Sequence, residues 1–239
     1  MERKLVFQRF DLHQRIQHIG MFSSFFILTI TGLPIKFEQS GVSYWIVSLF
    51  GGFENLFAVH LLGAVIMLAV SAYHLIYLVI HPWVTKKRSW AVLPRGKDFF
   101  DVVHEVQFLL GLRKDPPCFD RYSYKEKFDY WAVFWGMVIM GGSGLLMWFP
   151  QIFAQYMPRW VIDSARYAHT DEAILAISAI FIWHFYNVHF SARFFPMNHV
   201  WYKGTITREE MEESHPLELE RLDMDYEIST WIPEHRDRA

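Results

Sequence analysis

His60 and His74 stand 14 residues apart in one long apolar segment, and His169 and His184 stand 15 apart in another. Imidazole is a common metal ligand, and it is costly in hydrocarbon unless it pairs, binds metal or serves a function. Fourteen residues make almost four turns of α-helix, so two such rings project on one side, about 21 Å apart along the axis. That separation suits two redox centres stacked across a hydrocarbon core about 30 Å thick. Two helices of this kind facing each other would clamp two haems, each through two axial histidines. The spacing therefore predicts a membrane cytochrome b, with His60 and His169 sharing one haem.

The second pair is less determined. His184, in Trp183-His184-Phe185-Tyr186-Asn187-Val188-His189, is the best inner ligand. Its distance from His169 leaves it rotated by about 60° on an ideal helix. A π-bulge or an unwound first turn would correct this. Its partner is His18, from the first apolar segment, or His74, from the second, and internal symmetry argues for His74. His13, His81, His104, His189, His199, His215 and His235 read more simply as interfacial or aqueous. Cys118 is the one cysteine and no Cys-x-x-Cys-His occurs, so any haem is non-covalent haem b.

The elements that must position these residues are read from charge. Residues 19–33, 56–80, 130–149 and 173–190 are almost free of it, and each is long enough, or nearly so, to span a bilayer. Four such runs are rare in the buried helices of a soluble protein. A net charge of −2 gives no sign of a nucleic-acid surface. No small-residue cleavage site follows the first run, which is expected to be a retained span. Arg3, Lys4, Arg9 and Arg15 precede it. Ten Lys and Arg lie in 81–128, among them Lys86, Lys87 and Arg88, and Arg193, Lys203, Arg208, Arg221, Arg236 and Arg238 lie at the end. The other connections hold only Lys36, and Arg159 with Arg166. The positive-inside rule then puts both termini and the long loop in the cytoplasm. His60 and His169 lie at the outer level, and His18, His74 and His184 at the inner level. The expected fold is an all-α integral membrane four-helix bundle. Residues 1–202 form the transmembrane domain and 203–239 an acidic cytoplasmic tail.

Two smaller patterns accompany the spans. Thr31-Gly32-Leu33 ends the first and Ser143-Gly144-Leu145 the third, each followed at a similar distance by a histidine. Such glycines admit a porphyrin face or simply a packed helix. Between spans two and three, Phe99, Val102, Val103, Val106 and Leu110 have helical apolar spacing. They predict an amphipathic helix on the inner membrane surface or against a partner. In the tail, Thr207-Arg208-Glu209-Glu210 has the form of a capping box. A solvated tail is the default and a docking element the alternative.

An ordered series of motifs from about residue 9 to 216 resembles the cytochrome b subunit of membrane-bound formate dehydrogenase. More broadly it resembles those of nickel–iron hydrogenase and thiosulfate reductase. The series is Arg15-Ile16-Gln17-His18, Thr31-Gly32-Leu33, His60, the stretch from Tyr122 to Trp131, the stretch from Phe153 to Pro158, and His184-Phe185-Tyr186. The resemblance implies an outer haem on His60 and His169 and an inner haem on His18 and His184. His74 departs from that pattern; it could replace His18, sit beside the quinone or bond a haem propionate. The resemblance also implies a site for menaquinone or ubiquinone at Ser123, Lys125, Glu126 and Asp129. Lys125 and Ser123 stand where formate dehydrogenase has an Asn/Gly pattern.

The function expected is that of a respiratory cytochrome b subunit in the cytoplasmic membrane of a bacterium or archaeon. It would pass electrons between an outer-side iron–sulfur or multihaem partner and quinone. The outer loops, with Trp45, Phe50, Phe153, Tyr156 and Trp160, are the expected docking surface. The rival classes are a haem-free anchor or transporter and a stand-alone cytochrome of the b561 sort.

Overall fold

The computed structural model describes residues 6–85, 91–191 and 195–230. Arg3, Lys4, Lys86, Lys87, Arg88, Arg193, His235, Arg236 and Arg238, named above, lie outside the described residues.

Among the described residues, three helices are long and apolar enough to cross a membrane: α1 (Leu12–Lys36), α3 (Phe53–Thr85) and α5 (Tyr124–Trp148). The fourth apolar stretch is divided between the end of α7 (Arg159–Ser178) and a π-helix (Ala179–His189) that continues it without a break. Arg159, Asp163, Arg166, Asp171 and Glu172 make the first half of α7 polar. Short α2 (Gly41–Leu49) follows α1, and α6 (Pro150–Phe153) follows α5. Leu62, Val65, Val79, Val138 and Ile182 are exposed, whereas Ser24, Thr31 and Ser143 are buried. Apolar side chains outside and small polar ones within are what a lipid-facing bundle requires.

Capping starts the two leading helices. Asp11 and Gln14 form a capping box at α1, and Ser123 and Glu126 form one at α5. Burial pushes the Asp11 carboxyl up, but the Gln14 backbone N–H and the Tyr77 hydroxyl outweigh it and hold the group below its ordinary range. α1 packs along α3, and α5 along α7, far more than the two hairpins touch each other. Each hairpin thus repeats one plan, with a hydroxyl–glycine pair on its first helix and a histidine on its second.

The amphipathic helix is α4 (Gly96–Leu109). Phe99, Phe100, Val106 and Leu109 are exposed along it. Its acidic residues tie it to the start of α5: Lys127 meets Asp98 at 2.7 Å and Lys125 meets Glu105 at 3.0 Å.

The described part of the tail is docked rather than solvated. β1 (Val6–Gln8) pairs antiparallel with β2 (Thr205–Thr207), Gln8 opposite Thr205. α8 (Val200–Lys203) precedes β2, and α9 (Arg208–Ser214) follows it, opened by the Thr207–Glu210 capping box. α10 (Pro216–Thr230) ends the described chain. Ile206, Met211 and Leu219 make a small core, against which Phe7, Val200 and Leu222 pack. Arg9 and Glu218, 4% and 3% exposed, form an ion pair. Arg121 donates to Glu218 Oε1 at 2.9 Å, and Arg9 and Arg121 each donate to the other's carbonyl, at 2.7 and 2.6 Å. His215, expected in water, is buried here: it donates from Nδ1 to the Asp120 carbonyl at 2.8 Å and accepts from Arg9 at Nε2, 3.1 Å away. Burial lowers its pKa, Glu126 opposes the shift, and the Arg9 cation adds to it.

Candidate functional site

The residues expected at the outer level are arranged with local symmetry. His60 lies on α3 with Nδ1 2.9 Å from Thr31 Oγ1, and His169 on α7 with Nδ1 3.0 Å from Ser143 Oγ. Each hydroxyl also reaches the carbonyl four residues back: Thr31 to Ile27 at 2.7 Å, Ser143 to Ile139 at 2.6 Å. A hydroxyl has one proton. Given to the carbonyl, it leaves the oxygen as an acceptor for imidazole Nδ1–H. Both rings are thereby fixed in the tautomer with a lone pair on Nε2, the form that ligates a metal. A β-carbon on Gly32 would stand 3.2 Å from His60 Cε1, and one on Gly144 3.3 Å from His169 Cε1. The glycines let each ring approach the neighbouring helix.

At the inner level three histidines converge. The ligating nitrogens of His18 on α1 and of His184 and His189 on the π-helix all lie within 4.8 Å of one another. His184 Nδ1 is 3.2 Å from Asp129 Oδ2, so a carboxylate orients this ring and again leaves Nε2 free. His189, expected to be interfacial, is 8% exposed. The π-helix is the reason. On an α-helix, residues five apart diverge by about 140°. A π turn closes on residue i+5 and brings them to one face. Phe190 N–H bonds to the Phe185 carbonyl at 2.8 Å in this way. The register mismatch between His169 and His184 signalled the distortion; that it also turns His189 inward was not legible.

His74 does not join this cluster. Its Nδ1 is 2.9 Å from Gln17 Oε1 and its Nε2 3.1 Å from the Tyr130 hydroxyl. The amide oxygen only accepts, so Nδ1–H donates to it and Nε2 takes the Tyr130 proton. The contacts bring His18, rather than His74, to His184. Of the four residues expected at a quinone site, Ser123 and Glu126 bond each other in the α5 cap and Lys125 pairs with Glu105. Only Asp129 touches the histidine cluster.

The donor set fits haem b. Neutral imidazoles presenting Nε2 from facing helices are its usual axial ligands. At the inner cluster, Trp201 Nε1, His18 Nδ1 and His189 Nδ1 are buried with no hydrogen-bond partner among the described residues. Trp201 lies against the cluster, its ring centroid 5.9 Å from that of His18. Buried indole donors call for an acceptor, and the propionate edge of a porphyrin is one.

No curated protein matches the chain. The prokaryotic cytochrome b561 family matches residues 9–196, a stretch that contains every histidine of both levels. Family, apolar helices and ligand-ready imidazoles agree on a multi-pass membrane protein that transfers electrons with haem b. The chain belongs to the prokaryotic cytochrome b561 family.

Proposed function

We propose that the chain carries electrons across the membrane between an outer-side partner subunit and the quinone pool. Two haem b sites would serve it, His60–His169 outside and His18–His184 inside. The observation that carries this reading is the polar partner behind each ring. At His60, His169 and His184, a hydrogen bond at Nδ1 commits Nε2 to ligation. Bound there, haem b supplies reversible one-electron chemistry at its iron. The chain's own residues hold the rings neutral, exclude water with apolar helix faces, and set the spacing. His18 and Thr31 serve different levels and lie 13 residues apart on α1, about 20 Å along its axis.

Four spans with both termini in the cytoplasm are supported by the strand pairing. β1 and β2 share one side of the membrane, so the chain between them crosses an even number of times. To the three apolar helices the α7–π-helix unit adds the fourth. The Arg9–Glu218–Arg121 network ties the loop before α5 to both ends, and the excess of Lys and Arg there marks that side as cytoplasmic. The cytoplasmic membrane of a bacterium or archaeon is the matching location. A transmembrane domain of residues 1–202 and a tail of 203–239 is the proposed division.

Menaquinone or ubiquinone would react at the cytoplasmic start of α5, where Ser123, Lys125, Glu126 and Asp129 lie. Carboxylates there can relay the protons that quinone reduction consumes. The likeness to formate dehydrogenase cytochrome b supports an iron–sulfur or multihaem partner. Exposed Trp45, Tyr156 and Trp160 on the outer side suit its docking. Membership of the b561 family favours a second reading, a stand-alone cytochrome with a small soluble donor.

The test is a pyridine haemochrome assay on the purified full chain. Two b haems per chain are expected, one of them lost in His60→Ala. A folded, haem-supplied chain without haem overturns the reading. Copurification of an iron–sulfur or multihaem protein decides for the subunit over the stand-alone role.

A further inference from the structure

The inner site holds one imidazole more than a bis-histidine haem uses. His18, His184 and His189 bring their ligating nitrogens within 4.8 Å of one another. His189 is buried, and its Nδ1 has no hydrogen-bond partner among the described residues. Its ring centroid lies 5.1 Å from that of His184 and 6.0 Å from that of His18. A ring satisfied by ordinary packing would bond neighbouring polar groups, as His74 does at both its nitrogens.

The backbone is built to hold this arrangement. The π-helix ends on His189 itself. Asn198 fastens that end, with its backbone N–H on the His189 carbonyl at 3.0 Å and its side-chain amide on the Val188 carbonyl at 3.1 Å. Trp201 closes the far side, its centroid 6.3 Å from His189. An eleven-residue π-helix is rare, and such distortions concentrate at functional sites. An α-helix through the same residues would set His184 and His189 about 140° apart, so the two could not share one face.

We propose that the π-helix presents two interchangeable axial ligands to the inner haem iron, His184 and His189, opposite His18. The proposal rests on the reading of an inner bis-histidine haem. His184 is the resting ligand, because Asp129 orients it and strengthens it as a donor. His189 has no such carboxylate, so the state it ligates has the higher midpoint potential. One site can then exist in two ligation states of different potential.

The experiment uses the full chain, purified from membranes with its partners. Haem stoichiometry and the electron paramagnetic resonance spectrum are read for His184→Ala, His189→Ala, the double variant and His18→Ala. The outer haem is the folding control in each. Single variants are expected to keep two low-spin haems per chain, with a raised inner midpoint in His184→Ala. The double variant is expected to keep one haem. If His184→Ala already drops to one haem, or gives a high-spin inner centre, while His189→Ala matches wild type, His189 is no ligand and the proposal fails. Should His184→Ala lose the outer haem as well, His184→Gln, closer in size, is scored by the same criteria. His18→Ala tests the underlying reading separately: it must retain one haem, and two retained haems would overturn the site itself.

Discussion

Asp129 Oδ2 lies 3.2 Å from His184 Nδ1, whereas the same nitrogen of His60 and of His169 meets a neutral hydroxyl. The two levels of the bundle thus differ in the charge behind their imidazoles. A carboxylate makes its histidine a stronger donor and favours the oxidised iron. Asp129→Asn is expected to raise the inner midpoint potential and leave the outer one in place. A charge-assisted hydrogen bond contributes about 1.5–3 kcal/mol. A one-electron couple moves about 59 mV for each 1.4 kcal/mol, so the shift is several tens of millivolts or more. A redox titration resolving both haems reads it; equal movement of both midpoints would refute the asymmetry.

Thr31 and Ser143 fix the tautomer of His60 and His169. Thr31→Val and Ser143→Ala remove the hydroxyl with little change in volume. Losing such an outer-sphere partner typically weakens metal binding about 10–100-fold. The expected result is selective loss of the outer haem on detergent washing, followed by haem content per chain. Unchanged retention in both variants would show that the hydroxyls do not matter to ligation.

Gly32→Ala would set a β-carbon 3.2 Å from His60 Cε1, and Gly144→Ala one 3.3 Å from His169 Cε1. Either should displace its ring and cost the outer haem its low-spin spectrum. Gly142→Ala is the control, since nothing lies within 4 Å of that position. Equal effects of all three would point to helix packing instead.

His74→Phe is expected to keep both haems, because both ring nitrogens are already bonded to Gln17 and Tyr130. Stability should fall by about 1–3 kcal/mol, as buried Gln17 and half-buried Tyr130 lose their partner. Haem stoichiometry checks the first statement and thermal unfolding in detergent the second. Loss of the inner haem would restore His74 as its ligand.

In the docked tail, breaking the buried Arg9–Glu218 pair by Arg9→Ala should cost about 1.5–3 kcal/mol, the range of a hydrogen bond to a charged group, since Arg121 remains to pair with Glu218. Protease sensitivity of the segment after Lys203 reports it. This region should also loosen in mild acid. Folded His215 binds its proton less readily than the unfolded chain does. Its contribution is therefore complete above the ordinary histidine pKa of about 6.5 and is lost as pH falls from there through its lowered value. Glu126, Arg9 and Glu218 are the charges that face it. His215→Gln should flatten the rise in protease sensitivity as pH falls below about 6.5, and an unaltered profile would refute the assignment.

Much of the site was legible because its signals are local. Apolar run length and the period of 3.6 give the helices, and histidine spacing along them gives the levels. The Thr31-Gly32 and Ser143-Gly144 repeat was visible, but only as small residues. That each hydroxyl spends its proton on its own helix, and so dictates a tautomer on another, needs two helices in contact. His189 was misread because period 3.6 turns it outward, and only the π-helix turns it in. His215 and the docked tail were misread for a different reason. Arg9 and Glu218 are 209 positions apart, and no pattern within a window connects them.

The strand pairing also sets an order of assembly. Gln8 leaves the ribosome early, and Thr205, the residue it pairs with, is made 197 residues later. At about 5–20 residues per second that is a wait of roughly 10–40 s. Over that time Arg9 gains Arg121, while Glu218 follows Thr205 and is made later still. Trp201, which walls the inner histidines, arrives only with the same final stretch of chain. The segment from Trp201 to Glu218 therefore closes over both residues 6–9 and the inner histidines. A nascent chain truncated before Thr205 should remain open to proteases at its N-terminus however well its helices are inserted.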